Sequence, residues 1–431
     1  MQTFSTARLR AKHFRSASYV IIKEDVKMDR RGFILKSALG VSGTSLAAPF
    51  LHAATDEKSK NTKIIYRTMG RTKLDVPVLS FGVMNTDSPD LIKKALEMGL
   101  KYLDTANAYL RGNSETSIGR VLKETGMRDK VYVATKVFLS RDWQKGVFSN
   151  EGSGFAPAAT AENFNKQLDQ SLGRLQTDHV DVLFVHACDS AAMVNYEVTM
   201  NAAMKAKEAG KARFIGVSGH KSAEIIRAAV DAKVYDVVLA TINFQLEDKD
   251  DVAKAIAYAK DNGVAIVAMK TQGGARRRGA PESPGDSASF NHKAALKWAL
   301  NLDGVCTAIP GMTTFDQLDL NFSVMEDLAL TDEEKKDLKL SSLNDGGYCQ
   351  NCRACVPQCP RRVEVPSLMR ASMYAEGYGN LSQAEFTLGI LPEDRGLAAC
   401  RNCSDCQVQC RHGMPIDRNV KTLKRQFGFY A

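Results

Sequence analysis

Between residues 79 and 311, eight short apolar runs alternate with segments patterned for helix, and no other feature narrows the fold as far. The runs are 79–84, 102–106, 131–137, 181–186, 214–219, 237–244, 265–270 and 305–311. Helical patterns occupy 90–97, 161–175, 193–209, 222–232, 252–262 and 292–301. Alternation at this spacing predicts an α/β fold with a parallel sheet, and eight units predict its closure into a (β/α)8 barrel. Ahead of the runs, 64–66 and 76–78 flank a turn holding Gly70 and read as a hairpin on the barrel floor. Loops 138–159 and 272–291 are long, and are candidates for a lid or a substrate wall.

In such a barrel the chemistry sits at the C-terminal ends of the strands. Those ends carry Asp104 and then Tyr109, Lys136, and His186. A tyrosine beside a lysine is expected to have a lowered pKa, since the cation favours phenolate, and so to be a usable general acid. One such residue alone would be as well explained by a structural salt bridge. The four together, as Asp104-Thr-Ala-x-x-Tyr109, Lys136 and His186, resemble the tetrad of the aldo-keto reductases. The resemblance spans residues 64–330. Its echoes are Tyr66-Arg67-x-x-Gly70-Arg71-Thr72-x-Leu74, Ser171-Leu172-x-Arg174-Leu175-x-Thr177-Asp178, Ile215-Gly216-Val217-Ser218 and Ile309-Pro310-Gly311.

The resemblance implies a TIM barrel that moves hydride between a nicotinamide and a carbonyl. Tyr109 would protonate the carbonyl oxygen, Lys136 with Asp104 would hold the phenol's pKa down, and His186 would orient the carbonyl. Cys188 and Asp189 would line the mouth. Cys306 reads as a buried small hydrophobe. The implied cofactor site is thinner than in the family. Ser218 keeps its place, but Gly219 and Leu239 stand where relatives hold the nicotinamide carboxamide, and Met269 replaces a stacking tyrosine. Gly311, Met312 and Gln317 replace the grip on the 2′-phosphate, and only Asn321 keeps the pattern. NAD(H) is therefore expected at least as much as NADP(H). Arg276, Arg277 and Arg278 are candidates for a pyrophosphate clamp, or else a solvated basic loop.

The formal net charge of +9 does not mark a nucleic-acid surface, because six of those charges are the surplus of residues 1–60, with 11 Lys/Arg against 5 Asp/Glu. No apolar run reaches the ~18 residues of a membrane-spanning helix. Residues 1–54 read as an N-terminal extension and a signal peptide. Asp29-Arg30-Arg31-Gly32-Phe33-Ile34-Leu35-Lys36, an uncharged stretch at 37–51 and His52-Ala53-Ala54 resemble a twin-arginine export signal. Met1 and Met28 are both candidate starts. A polar linker, 55–63, leads into the barrel, 64–342.

Residues 344–431 read as a second domain that opens at Asn344-Asp345-Gly346-Gly347. Eight of the ten cysteines lie there, as Cys349-x2-Cys352-x2-Cys355-x3-Cys359-Pro360 and Cys400-x2-Cys403-x2-Cys406-x3-Cys410. Thiolates every third residue wrap an iron–sulfur cubane, and the fourth cysteine of each run reaches across to the other cluster. One [4Fe–4S] cluster would take Cys349, Cys352, Cys355 and Cys410, and the other Cys400, Cys403, Cys406 and Cys359. Zinc is the alternative, though it is more often held by two separated CxxC pairs. The spacer, with helices at 368–376 and 382–389, resembles α-helical ferredoxin domains of respiratory iron–sulfur subunits.

The sequence thus predicts an exported, periplasmic oxidoreductase acting on a carbonyl or an alcohol, sugar-like in one reading, with two clusters for electron transfer. The alternative is an electron-transfer or docking module on a catalytically degenerate barrel. Expected partners are the small-molecule substrate, a redox partner protein and the twin-arginine export machinery. Clusters move single electrons and nicotinamide takes a hydride, so direct coupling needs a splitter such as a flavin, and no flavin motif is found.

Overall fold

The computed structural model describes residues 63–143, 153–273, 290–343 and 349–428, with no side-chain description for 340–343. The export signal, Arg276, Arg277, Arg278 and the 344–347 boundary lie outside the described residues. Strand β1 (Tyr66–Thr68) pairs antiparallel with β2 (Asp75–Pro77), which is the expected hairpin. Its turn presses on the barrel floor. Gly70 has φ +48, and a Cβ there would lie 2.4 Å from the Gly263 carbonyl oxygen.

Eight parallel strands follow: β3 (Phe81–Gly82), β4 (Tyr102–Asp104), β5 (Tyr132–Val137), β6 (Val180–Val185), β7 (Ala212–Gly219), β8 (Val237–Thr241), β9 (Ala265–Met269) and β10 (Val305–Ala308). Neighbours in sequence are neighbours in the sheet. Bridges Leu79–Ala308 and Gly82–Gly311 join the last strand to the first, with Ala308 N donating to Val78 O at 2.9 Å, so the sheet closes. The outer strands are shorter than the apolar runs. Beyond β10 comes Pro310, which has no N–H to extend the ladder.

Two apolar layers hold the barrel. Tyr102, Phe184, Val237, Leu239 and Val267 fill the interior, sealed from the floor by Met69 and Val76. Ile92, Leu103, Phe164, Leu168, Ile226 and Ile256 pack strands against helices. Full burial of such a side chain contributes about 1.5–3 kcal/mol. Helices α1 (Pro89–Glu97) and α3 (Ala161–Leu175) start where expected, because Ser88 and Thr160 accept from the backbone N–H of Leu91 and Asn163. Helix α2 (Asn113–Thr125) has no counterpart in the sequence reading. It has three large apolar side chains in 13 residues, Ile118, Val121 and Leu122, all buried and within about a turn and a half, so the periodic signal is short. The run at 193–209 divides into α4 (Ala191–Val194) and α5 (Glu197–Glu208). The outer ring continues with α6 (Ser222–Ala232), α7 (Lys249–Asp261), α8 (His292–Leu300), α9 (Phe315–Phe322) and α10 (Asp332–Leu343). Among the described residues no helix is long and apolar enough to cross a membrane.

The tail holds α11 (Val365–Ser372), a wider-wound turn Met373–Gly377, α12 (Leu381–Gly389) and α13 (Ile416–Gln426). Leu368, Met369, Leu397, Val420 and Leu423 form its core, and Trp143 from the loop after β5 is buried among them. The described residues of barrel and tail form one compact unit. The tail lies on the barrel mouth. Asn380 Nδ2 donates to Met84 O at 3.2 Å, Gln350 Nε2 to Gln245 O at 3.0 Å, and Arg411 pairs with Glu247 at 2.5 Å. The Phe386 ring meets Phe138 edge-on with centroids 5.4 Å apart.

Candidate active site

Strand β4 ends at Asp104, β5 carries Lys136 near its end, and β6 delivers His186 one residue beyond its last. After Tyr109 the chain reverses through three residues of positive φ, Leu110 (49), Arg111 (57) and Gly112 (91), before α2 starts. That turn folds the Tyr109 ring back over β4 and β5. Lys136 Nζ lies 4.7 Å from the Tyr109 ring centroid, and the His186 ring meets Tyr109 edge-on at 5.7 Å. The four predicted residues therefore converge. Lys136 donates to Asp104 Oδ1 and to Thr105 O, the latter at 2.7 Å. Asp104 Oδ2 and His186 Nδ1 are buried without a partner among the described residues. Buried polar atoms are nearly always paired, so orphans at one spot mark where a ligand can bond.

The electrostatics correct one expectation. Burial, then the Asp104 charge and Tyr374, push the Tyr109 phenol well above its usual range. The lysine does not win, because its ammonium faces the ring rather than standing alone, and is shared between Asp104 and a carbonyl. Burial lowers Lys136 and raises Asp104, each against the pull of the other. His186 is held well below its usual value by burial, then by Lys136 and Arg141, so it is a neutral imidazole.

These groups share a cavity of about 1040 Å³. Its wall is built by both parts of the chain: His186, Asp189 and Lys270 from the barrel, and Arg370, Tyr374 and Phe386 from the tail. Asp189 lines the cavity as expected. Cys188 does not; it is fully buried, and burial pushes its thiol up to about 12. Cys306 is buried inside the barrel, as expected. The described parts of both long loops reach the cavity, but the tail supplies much of the cover. Arg141, His220 and Lys270 escaped the sequence reading although they follow strand ends, where the same rule would find them. Arg370 and Tyr374 lie on the tail and carried no such signal.

The expected cofactor positions line the cavity with little to offer. The Ser218 hydroxyl accepts from Ala187 N at 3.0 Å. Asn321 accepts from Gln272 Nε2 at 2.8 Å and is buried. A Cβ at Gly219 would lie 2.0 Å from the Cys188 carbonyl oxygen, so this backbone admits no side chain where relatives carry an amide. Leu239 and Met269 add apolar wall. The space and the apolar lining fit a dinucleotide; the polar grip on its carboxamide is thinner than the resemblance implies.

In the tail, Cys355 has Cys349, Cys352 and Cys410 within electrostatic reach, and these four line one small cavity. Cys400 has Cys403, Cys359 and Cys406 within the same reach. The cysteines within reach of one another are thus those that the sequence reading grouped, and none of them forms a disulfide. Asn351 and Arg353 take positive φ, 55 and 63, which wraps the first loop around its thiols. Among the described residues no three of His, Cys, Asp or Glu lie close enough to hold a single metal ion. A cubane, whose irons sit at four corners, holds its thiolates further apart than one ion does, and by its chemistry the donor set fits it.

The sequence profile of the aldo/keto reductase family matches residues 81–294. L-galactose dehydrogenase of Arabidopsis thaliana is 28% identical over 301 residues, 62% of this chain and 90% of its own length. Aldo-keto reductase YhdN of Bacillus subtilis is 32% identical over 183 residues, 42% of this chain and 51% of its own. Methylglyoxal reductase DkgB of Escherichia coli O157:H7 is 27% identical over 258 residues, 59% of this chain and 87% of its own. Among solved structures, aldo-keto reductase AKR11C1 of Bacillus halodurans aligns with TM-score 0.52 at 24% identity, over 64% of this chain and 96% of that one, which bears on the fold alone.

Proposed function

We propose that the protein, an oxidoreductase acting on C=O or CH–OH groups with a barrel like that of the aldo-keto reductases, is an exported carbonyl reductase carrying two [4Fe–4S] clusters. The observation that carries the reading is the convergence of Tyr109, Lys136, Asp104 and His186 in one cavity, roofed by the cysteine-bearing tail.

Tyr109 is the acid. Its raised pKa keeps the phenol protonated, ready to donate to a carbonyl oxygen. His186, neutral and with Nδ1 unpaired, orients that oxygen. Lys136, anchored by Asp104 and Thr105, places positive charge beside the ring and favours the phenolate left behind. A bound nicotinamide would supply the hydride. Ser218, Met269 and Asn321 would line its site, and NAD(H) suits it at least as well as NADP(H).

The eight tail cysteines would hold the clusters in the crossed quartets, which move single electrons to or from a redox partner. Two runs of four thiolates suit two cubanes better than zinc, which is more often held by two separated CxxC pairs. Export by the twin-arginine route, which carries folded proteins, suits cofactors assembled before transport. The test is Tyr109→Phe in protein purified anaerobically, with iron and sulfide counted. Turnover should fall by at least about a hundredfold while about eight irons per chain remain. Full turnover in that variant would favour the degenerate-barrel reading, and an iron-free wild type would remove the clusters.

A further inference from the structure

The cavity is not electrically balanced. Among the described residues, six Lys/Arg and four Asp/Glu line it. Lys136 is matched by Asp104, Arg353 by Glu364 through two contacts of 2.7 Å, and Lys221 by Glu224 at 3.7 Å. The remaining carboxylate, Asp189, is engaged by His220, accepting from its backbone N at 2.8 Å and lying 3.1 Å from its Nδ1. Arg141, Lys270 and Arg370 are left with no carboxylate within 4 Å among the described residues.

Two of these cations are aimed by their surroundings. Arg141 donates to Ala187 O, reaches Met193 Sδ at 3.7 Å and lies 5.3 Å from the Phe138 ring centroid. Arg370 comes from α11 and, among the described residues, its one hydrogen-bond contact is with His220 Nδ1, at 3.4 Å. Both guanidiniums, with His220, surround Asp189 closely enough to hold its carboxyl far below the usual carboxylate range. Among the described residues each keeps N–H donors unused, in a fork that matches carboxylate or phosphate oxygens. Asp189 is one carboxylate between two partly buried guanidiniums, and an anionic ligand offsets the cost that this leaves.

We propose that Arg370 of the tail and Arg141 of the barrel form an anion subsite on the wall of the catalytic cavity, and that the substrate is a carbonyl or hydroxy compound bearing a carboxylate or a phosphate. The assignment of substrate class rests on the reading of this cavity as the site of carbonyl–alcohol chemistry. It gives the tail a second role. Besides bearing the cysteines, it selects what the barrel accepts. Arg370 also lies within electrostatic reach of Cys349, so an anion bound there adjoins the first cysteine quartet.

The test uses full-length protein purified anaerobically, with calorimetric titration of glucuronate, glucose 6-phosphate and glucose. The two anions should bind at least about tenfold more tightly than glucose, and Arg370→Gln should erase that preference while Arg370→Lys restores part of it. The relative strength of glucuronate and glucose 6-phosphate tells a carboxylate from a phosphate. NADH affinity, followed by its own fluorescence, should change less than twofold in Arg370→Gln. Anions that bind no better than glucose or not at all, a preference that survives Arg370→Gln, or a loss confined to NADH would overturn the proposal. Should Arg370→Gln lose tail iron, Arg141→Gln reads the same preference from the barrel side. Tyr109→Phe separates the two claims, since it should abolish turnover and leave the anion preference in binding intact.

Discussion

The two ends of the barrel treat buried charge in opposite ways. At the floor, every oxygen of the buried carboxylates is used. Asp181 meets Arg213 at 2.6 Å and Arg128 at 3.2 Å and accepts from Val133 N. Asp236 meets Lys207 at 2.8 Å and Arg71 at 3.1 Å and accepts from Ile215 N. At the mouth, Asp104 keeps an unpaired oxygen, His186 an unpaired nitrogen, and Arg141, Lys270 and Arg370 lack carboxylates within 4 Å among the described residues. Saturated networks hold a structure in place; unsaturated ones await something else. The contrast locates function without reference to any relative, and it agrees with the division of labour between the two faces of such barrels.

The largest expected effect comes at the mouth. Lys136→Met should reduce kcat by about 10²–10⁴-fold, because the phenolate formed after proton donation loses its nearby cation. Stability should fall as well, because the change leaves the Asp104 carboxyl buried without its cation. Burial already raises the Asp104 pKa, so a proton taken up there offsets part of that cost. Steady-state kinetics beside a denaturant titration check this, and a large loss of stability with little loss of rate would erase the contrast.

Asp181→Ala is the mirror experiment. It leaves the Val133 N–H unpaired at the floor and takes the carboxylate from Arg213 and from Arg128, which keeps the Val131 and His179 carbonyls. Stability should drop by about 3 kcal/mol, the usual cost of breaking a buried pair from one side, while kcat of the folded fraction stays within about twofold. Urea unfolding with activity measured below the transition tests both halves.

How far the sequence revealed these ends depends on the kind of signal. Strand positions were legible because an apolar run reports burial directly, and the tetrad because strand ends all face one mouth. Which tail cysteines lie within reach of one another was legible because the two runs repeat one spacing, three thiols at every third residue and a fourth set further on. Helix α2 was not, since few of its side chains advertise a face. Cys188 and Asp189 are adjacent, yet one enters the core and the other the cavity; the turn after Ala187, at φ 60, decides that. The direction of the Tyr109 shift was misread because burial depends on the tail roof, which no local pattern announces.

A smaller effect separates the mouth from the floor by pH. His220 is lowered to about 4, by burial first, against the pull of Asp189 and with Arg370 and Lys270 adding to the depression. In the unfolded chain its pKa is about 6.5. The unfolded state therefore binds more protons between those values, so this contribution is complete above the unfolded pKa and is lost as pH falls towards 4. Between pH 7 and pH 4, wild type should lose about 2 kcal/mol more stability than His220→Gln. Parallel pH profiles would show that His220 does not titrate as its surroundings demand.

The least effect is expected where barrel and tail meet in water. Arg111 pairs with Glu385 across the seam, but both side chains are more than half exposed, at 72% and 58%. Solvent screens such a pair, and holding two long side chains still costs entropy, so their coupling in a double-mutant cycle should be below about 1 kcal/mol. The kinetic consequence should be slight for the same reason. Arg111 lies two residues from Tyr109, in a left-handed turn set by its backbone, and Asn380, Phe386 and Trp143 hold the tail in place without it. If Arg111→Ala alone cost more than about tenfold in kcat, the seam rather than the buried tetrad would position the phenol. The line between structural and functional charge would then run through the tail contact instead of between floor and mouth.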